Sequence, residues 1–200
     1  MKLEGYKLIF VAVGLIGVLL IATPLLSRAI PSLPNNAQFS ELYLLGPNQK
    51  AENYPSNIAV GQNYSVYLGV GNQLGSSAYY VLYVKFGNET DPLPNATLGI
   101  PSSLPPLYEY RFSIQNGVNW GSFLNFSVSS SSISGNNSRI NILQVNGIEF
   151  KVDKPAMWNP SSATFTYRFL FELWTYNMQT DSVEFNNRYV NLQLNLTKTT

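Results

Sequence analysis

Six asparagines of this 200-residue chain stand in the pattern Asn-x-Ser/Thr: Asn63, Asn88, Asn95, Asn125, Asn136 and Asn195. In an exported protein that pattern accepts N-linked glycans on the side-chain amide, and a glycan must project into solvent. Pro160 disqualifies Asn159. Asn88, Asn95 and Asn136 fall in segments that read as loops, Asn63 just before a strand, and Asn125 and Asn195 on polar strand faces. Each therefore has room for a sugar. The alternative is an unmodified polar surface, because an Asn- and Ser-rich composition produces some such matches by itself.

Other chemistry finds few groups to use. The chain has no His and no Cys, so the usual general base, thiol nucleophile and soft metal ligands are absent. No spacing forces two carboxylates together, and no catalytic, cofactor-binding or metal-ligating residue is expected. Asn88-Glu89-Thr90-Asp91 offers oxygens to a Ca²⁺ ion but lacks the glycine and bidentate Glu of an EF-hand loop, so a solvated loop is the simpler reading. Trp120, Trp158, Trp174 and the group Tyr79, Tyr80, Tyr83 suit either a buried core or an anchor for another protein or a sugar. Beyond Ile30 there are nine Lys/Arg against ten Asp/Glu, a net of −1. Nothing in that balance attracts nucleic acid. A surface of neutral amides and hydroxyls changes charge little in acid, which suits an acidic exterior as well as an ordinary one.

The element that decides where these groups stand is the uncharged run over residues 8–26 (LIFVAVGLIGVLLIATPLL). As a helix it spans about 28 Å, close to the hydrocarbon thickness of a bilayer. Lys2 and Lys7 precede it, and after Arg28 no cation appears before Lys50, which favours a cytoplasmic N-terminus. A cleaved secretory signal has a shorter apolar stretch and a small-residue cleavage site, which Leu25-Leu26-Ser27-Arg28-Ala29 does not supply. A pilin-like signal cut after Glu4-Gly5 would leave Lys7 at the start of the mature helix. Residues 1–30 thus read as a cytoplasmic start and membrane anchor, residues 31–37 as a Pro/Asn spacer, and residues 38–200 as an extracellular domain.

That domain alternates like a β protein. Period-2 patterns predict strands over residues 39–45, 65–70, 78–86, 108–114, 122–128, 139–145, 148–152, 165–175 and 189–196. Residues 87–107 read as a long proline-bearing loop and residues 129–138 as a loop by composition. Asn146-Gly147 between two strand-like runs predicts a two-residue hairpin turn. In residues 165–175, Phe165, Tyr167, Phe169, Phe171 and Leu173 share an apolar face, and the opposite face, with Glu172 and Trp174, is mixed. The expected fold is all-β, an antiparallel immunoglobulin-like β-sandwich preceded by one transmembrane helix.

The stretch over residues 39–55 (FSELYLLGPNQKAENYP) resembles the opening of the external domain of the archaeal domain-of-unknown-function 1616 family. Val70-Gly71-Asn72-Gln73 with the strand over residues 79–86 is similar to that family's next segment, and residues 167–174 (YRFLFELW) to its closing strand. The resemblance covers most of residues 38–196. It implies an archaeal membrane protein with an external β-domain, and it carries no known activity. Family members often have several spans before this domain, whereas this chain has one. The expected function is therefore not enzymatic. It is that of a single-pass cell-envelope glycoprotein with a structural or protein-interaction role, its partners the membrane, other envelope proteins and N-linked glycans. An accessory subunit of a membrane complex and a pilus-like filament subunit are the alternatives.

Overall fold

A computed structural model describes residues 38–197 of the chain. The apolar run over residues 8–26 and the spacer over residues 31–37 lie outside the described residues. Within them are ten strands: β1 (Phe39–Leu45), β2 (Asn57–Ile58), β3 (Asn63–Gln73), β4 (Ala78–Asn88), β5 (Pro106–Ile114), β6 (Asn119–Ser134), β7 (Asn137–Val145), β8 (Ile148–Asn159), β9 (Thr164–Asn177) and β10 (Ser182–Leu196). The described residues contain no helix, and none long and apolar enough to cross a membrane.

The strands form one curled sheet in the order β1-β3-β6-β7-β8-β9-β10-β2, with β4 joining β9 to β5. All pairings are antiparallel except β2 on β10. β8 turns the corner: most of it pairs with β7, and only Trp158 and Asn159 pair with β9. Both halves contribute to one core. Val66, Leu68 and Val70 of β3 and Leu124, Phe126 and Val128 of β6 meet Leu82 and Val84 of β4, the β9 face from Phe165 to Leu173, and Leu192, Leu194 and Leu196 of β10. The rings of Phe126 and Phe169 touch edge-to-face at 4.9 Å across the two halves. The alternation that predicted these faces follows from the pleat, which sends successive side chains to opposite sides.

Every predicted strand lies inside an observed one; β2 has no counterpart among the predicted strands, and three further segments differ. Residues 129–138 are a hairpin and not a loop: β6 runs on to Ser134, the chain turns at Gly135 and Asn136, and Ser131 and Ser132 pair with Ile140 and Arg139. Serine has little β preference of its own, so the ladder and the burial of Ile140 decide the conformation. β8 continues through Pro155, which an edge position tolerates because one side of that stretch has no strand neighbour. The first half of β10 lies outside the expected strands: Ser182-Val183-Glu184-Phe185 alternates over only four residues before Asn186-Asn187-Arg188 breaks the pattern at the bulge between Phe185 and Arg188.

The Asn146-Gly147 turn is as predicted. Val145 pairs with Ile148, and both central residues have positive φ, 49° at Asn146 and 82° at Gly147. The Asn146 side chain does more than tolerate that conformation: its Oδ1 accepts from the Asn125 amide at 3.0 Å, and its Nδ2 donates to the Tyr110 hydroxyl at 2.8 Å. A Cβ at Gly147 would meet nothing within 4 Å. Gly147→Val therefore tests backbone strain without a clash. Denaturant melts should show a loss of about 1–3 kcal/mol, the cost of a branched residue in the left-handed region.

Candidate interaction surface

The chain between β4 and β5 lies against the outer side of the central strands. Two charges hold it there. Lys85 of β4 and Glu172 of β9 stand diagonally on adjacent strands, since Lys85 pairs with Leu170 and Tyr83 with Glu172. Their side chains are 4% and 0% exposed, and Lys85 Nζ lies 2.8 Å from Glu172 Oε2. The loop closes over both: the Ser102 amide donates to Glu172 Oε1 and Lys85 Nζ donates to the Ser102 carbonyl, each at 2.8 Å. Trp174 Nε1 adds a third donor to Glu172 at 3.2 Å. A buried ion pair persists only when its remaining lone pairs and protons are used, as here. Among the described residues every buried side-chain polar atom has a hydrogen-bond partner.

The start of the loop is built as firmly. Asn88 Oδ1 accepts from the Thr90 amide and hydroxyl and from the Asp91 amide, while Asp91 Oδ2 accepts from the Asn88 amide at 2.7 Å and from Lys154 Nζ at 3.0 Å. Two of the oxygens weighed above as Ca²⁺ ligands, Asn88 Oδ1 and Asp91 Oδ2, thus serve protein donors. No group of three or more His, Cys, Asp or Glu side chains that could hold a metal occurs among the described residues. Gly87 lets the loop approach closely: a Cβ there would sit 2.8 Å from Leu104 Cδ1 and from Asp91 Oδ2, and those side chains would have to shift. Between these fixed ends, Asn95 and Ile100 exchange two backbone hydrogen bonds around Gly99, whose φ is 68°. The resulting knuckle turns Leu98 and Ile100 outward, 68% and 54% exposed. The knuckle thus presents two aliphatic side chains to solvent.

A concave surface lies between β1 and β10. This open groove of about 620 Å³ is lined by Leu42, Leu44, Tyr54, Val190 and Leu192, with no acidic or basic side chain along it. A smaller cleft of about 270 Å³ lies beside Asn88, Thr90, Pro155 and Met157. Glu89 also lines the smaller cleft, and the Thr90 hydroxyl there donates to Asn88 Oδ1 at 2.8 Å.

The tryptophans weighed as docking anchors have neighbours inside the domain. Trp120 stacks on Phe112 at 3.8 Å, Trp158 meets Phe165 edge-to-face, and half-buried Trp174 sits between Tyr83 and Phe185. Tyr80 is fully buried and bonds Ser40 and Asn72. Burial pushes its hydroxyl above the usual tyrosine range, opposed in part by the Ser40 hydrogen bond.

The six sequon asparagines part company in the structure. Asn63, Asn95, Asn125 and Asn136 are exposed, whereas Asn88 and Asn195 are half-buried. Asn88 Nδ2, the atom a glycan would occupy, donates to the Pro155 carbonyl at 2.8 Å. Asn195 Oδ1 accepts from Gln193, and Asn95 Oδ1 from the Leu98 amide. Sequence reasoning did not pick out Lys85, Glu172 and Ser102. The available signal was the single charge of β4, Lys85, and a carboxylate flanked by Phe171 and Leu173 on β9, placements rarely found unless the charge is paired.

The matching family model, Domain of unknown function (DUF1616), covers residues 33–169. The chain belongs to the DUF1616 family. No curated protein matches it. Among solved structures, a chain of the complex between Zinc 2-glycoprotein and Prolactin inducible protein from human seminal plasma is similar at 9% identity and a TM-score of 0.36, over 82% of this chain and 98% of that one. A beta-glucosidase from Listeria innocua in complex with glucose is similar at 11% identity and a TM-score of 0.40, over 81% of this chain and 17% of the enzyme. The PapD-like domain of human CEP192 is similar at 7% identity and 0.34, over 84% and 91%. Likeness this distant carries no argument, and no enzyme role for this DUF1616 chain follows from it.

Proposed function

We propose that this DUF1616 chain is a single-pass membrane protein of the archaeal cell envelope. On this reading its external domain, an immunoglobulin-like β-sandwich, holds partner proteins and carries N-linked glycans. The observation that carries the interaction role is the pinned loop, where buried Lys85 and Glu172 stabilise a knuckle that serves no internal packing at Leu98 and Ile100. The anchor rests on the uncharged run over residues 8–26. Exposed Asn63, Asn95, Asn125 and Asn136 support glycosylation.

Two measurements test the reading. Protease added to intact cells should remove the domain and leave the anchor; a protected C-terminus overturns the topology. Affinity purification of the full chain in mild detergent, followed by mass spectrometry, should recover partner proteins that the Leu98→Asp, Ile100→Asp double variant loses at least tenfold. Equal recovery by both chains overturns the role of the knuckle. Integral membrane proteins retained by both would favour an accessory subunit held through the anchor helix.

A further inference from the structure

We infer that Asn125 is a glycan acceptor whose first sugar lies on the ring of Phe123, so that the modification stabilises the sheet that carries it. The inference rests on the glycoprotein reading above and selects one site within it. Phe-x-Asn precedes two of the six sequons, at Phe123-Leu124-Asn125 and Phe86-Gly87-Asn88. In a strand, residues two apart project from the same face about 7 Å apart, within reach of a sugar attached to the asparagine amide. At Asn88 the pair is unusable, because Phe86 is buried in the core and the Asn88 amide is engaged with Pro155.

At Asn125 each requirement is met. Leu124 and Phe126 point into the core, which turns Phe123 and Asn125 to solvent, and Phe123 is 39% exposed. Among the described residues the Asn125 side chain makes no hydrogen bond, so its Nδ2 is open. Its backbone is fixed from both flanks, by Ser65 of β3 and by Asn146 of the hairpin turn. The Phe123 ring is held edge-to-face against Tyr67 at 5.1 Å, and its carbonyl accepts from the Tyr110 hydroxyl at 3.1 Å. Tyr67 itself lies across Gly121, where a Cβ would collide with its ring. The platform is therefore ordered before any sugar arrives, so stacking the apolar face of a pyranose costs little additional entropy. Ser65, directly opposite Asn125, is small enough to leave the space above the strand clear. Ser127 of the sequon is only 6% exposed in the fold, so on this inference the glycan is transferred before β6 closes into the sheet.

The test expresses the full-length chain in an archaeal host that performs N-glycosylation, maps the glycopeptides by mass spectrometry, and melts the purified protein. Asn125 should be occupied, and Asn125→Gln should lower the melting temperature by about 2–4 °C, a typical response to the loss of one modest interaction in a domain of this size. Phe123→Ser removes the ring and also the Tyr67 contact, so its own effect is separated by the double variant. The two substitutions should be strongly non-additive, with Phe123→Ser costing less in the Asn125→Gln background. Additive effects overturn the stacking. Bare Asn125 beside occupied sequons elsewhere overturns this inference alone, and six bare sequons overturn the glycoprotein reading with it.

Discussion

Lys85→Met is expected to lower the unfolding free energy of the domain by about 3–5 kcal/mol, the cost of leaving a buried charge without its partner. The methionine fits the same channel, so the loss isolates the charge. Glu172 would keep the Ser102 amide and Trp174 Nε1, but neither supplies a positive charge. Its surroundings are apolar, with Leu170 and Trp174 next on its own strand face and Tyr83 across from it. The double variant Lys85→Met, Glu172→Met should recover much of that loss, because a well-packed apolar pair can replace a buried ion pair at little cost. Recovery of global stability should not restore the loop. Without the carboxylate the Ser102 amide has no acceptor there, so residues 92–102 should become the first site of limited proteolysis in the double variant. Denaturant melts at low and high salt check the first part: a buried pair is screened little, so the difference should survive added salt. Equal melts of wild type and Lys85→Met would show that the pair contributes nothing.

Phe169→Ala should cost a similar amount, about 3–5 kcal/mol, for a different reason. The ring is fully buried on β9 and meets Phe86 at 5.3 Å, Phe126 at 4.9 Å and Phe171 at 6.0 Å. Phe86 and Phe171 come from its own half of the sheet and Phe126 from the other, so removing the ring opens a void where the two halves face each other. Rigid neighbours cannot collapse into a void of that size. Phe169→Leu should be tolerated far better, and the comparison by denaturant melts separates cavity cost from loss of aromatic contact. A loss below about 1 kcal/mol for the alanine variant would mean that the halves close freely over the gap.

The candidate site was only partly legible before the structure. The six acceptor patterns are read directly, but which amides stand open depends on neighbours far away in sequence: Pro155 occupies Asn88 from 67 residues on. The proline-bearing stretch was recognisable as a long loop by length and composition. Its anchoring was not, because Lys85, Ser102 and Glu172 converge from three separate segments. The second face of β9 read only as mixed, and it is covered because the loop crosses it.

The sequence by itself determined the class and the local geometry. A pleat of period two dictates which side chains of β3, β6, β9 and β10 turn inward, and positive φ at Asn146 and Gly147 is a property of those two residue types. Such rules act over a few residues and need no partner. Tertiary structure decided what depends on pairing: that a serine run completes a hairpin, that β8 bends through Pro155 to join the two halves, and that one ion pair is sealed from water. Those outcomes are set by free energies of burial and hydrogen bonding shared between distant segments, and no single segment contains them.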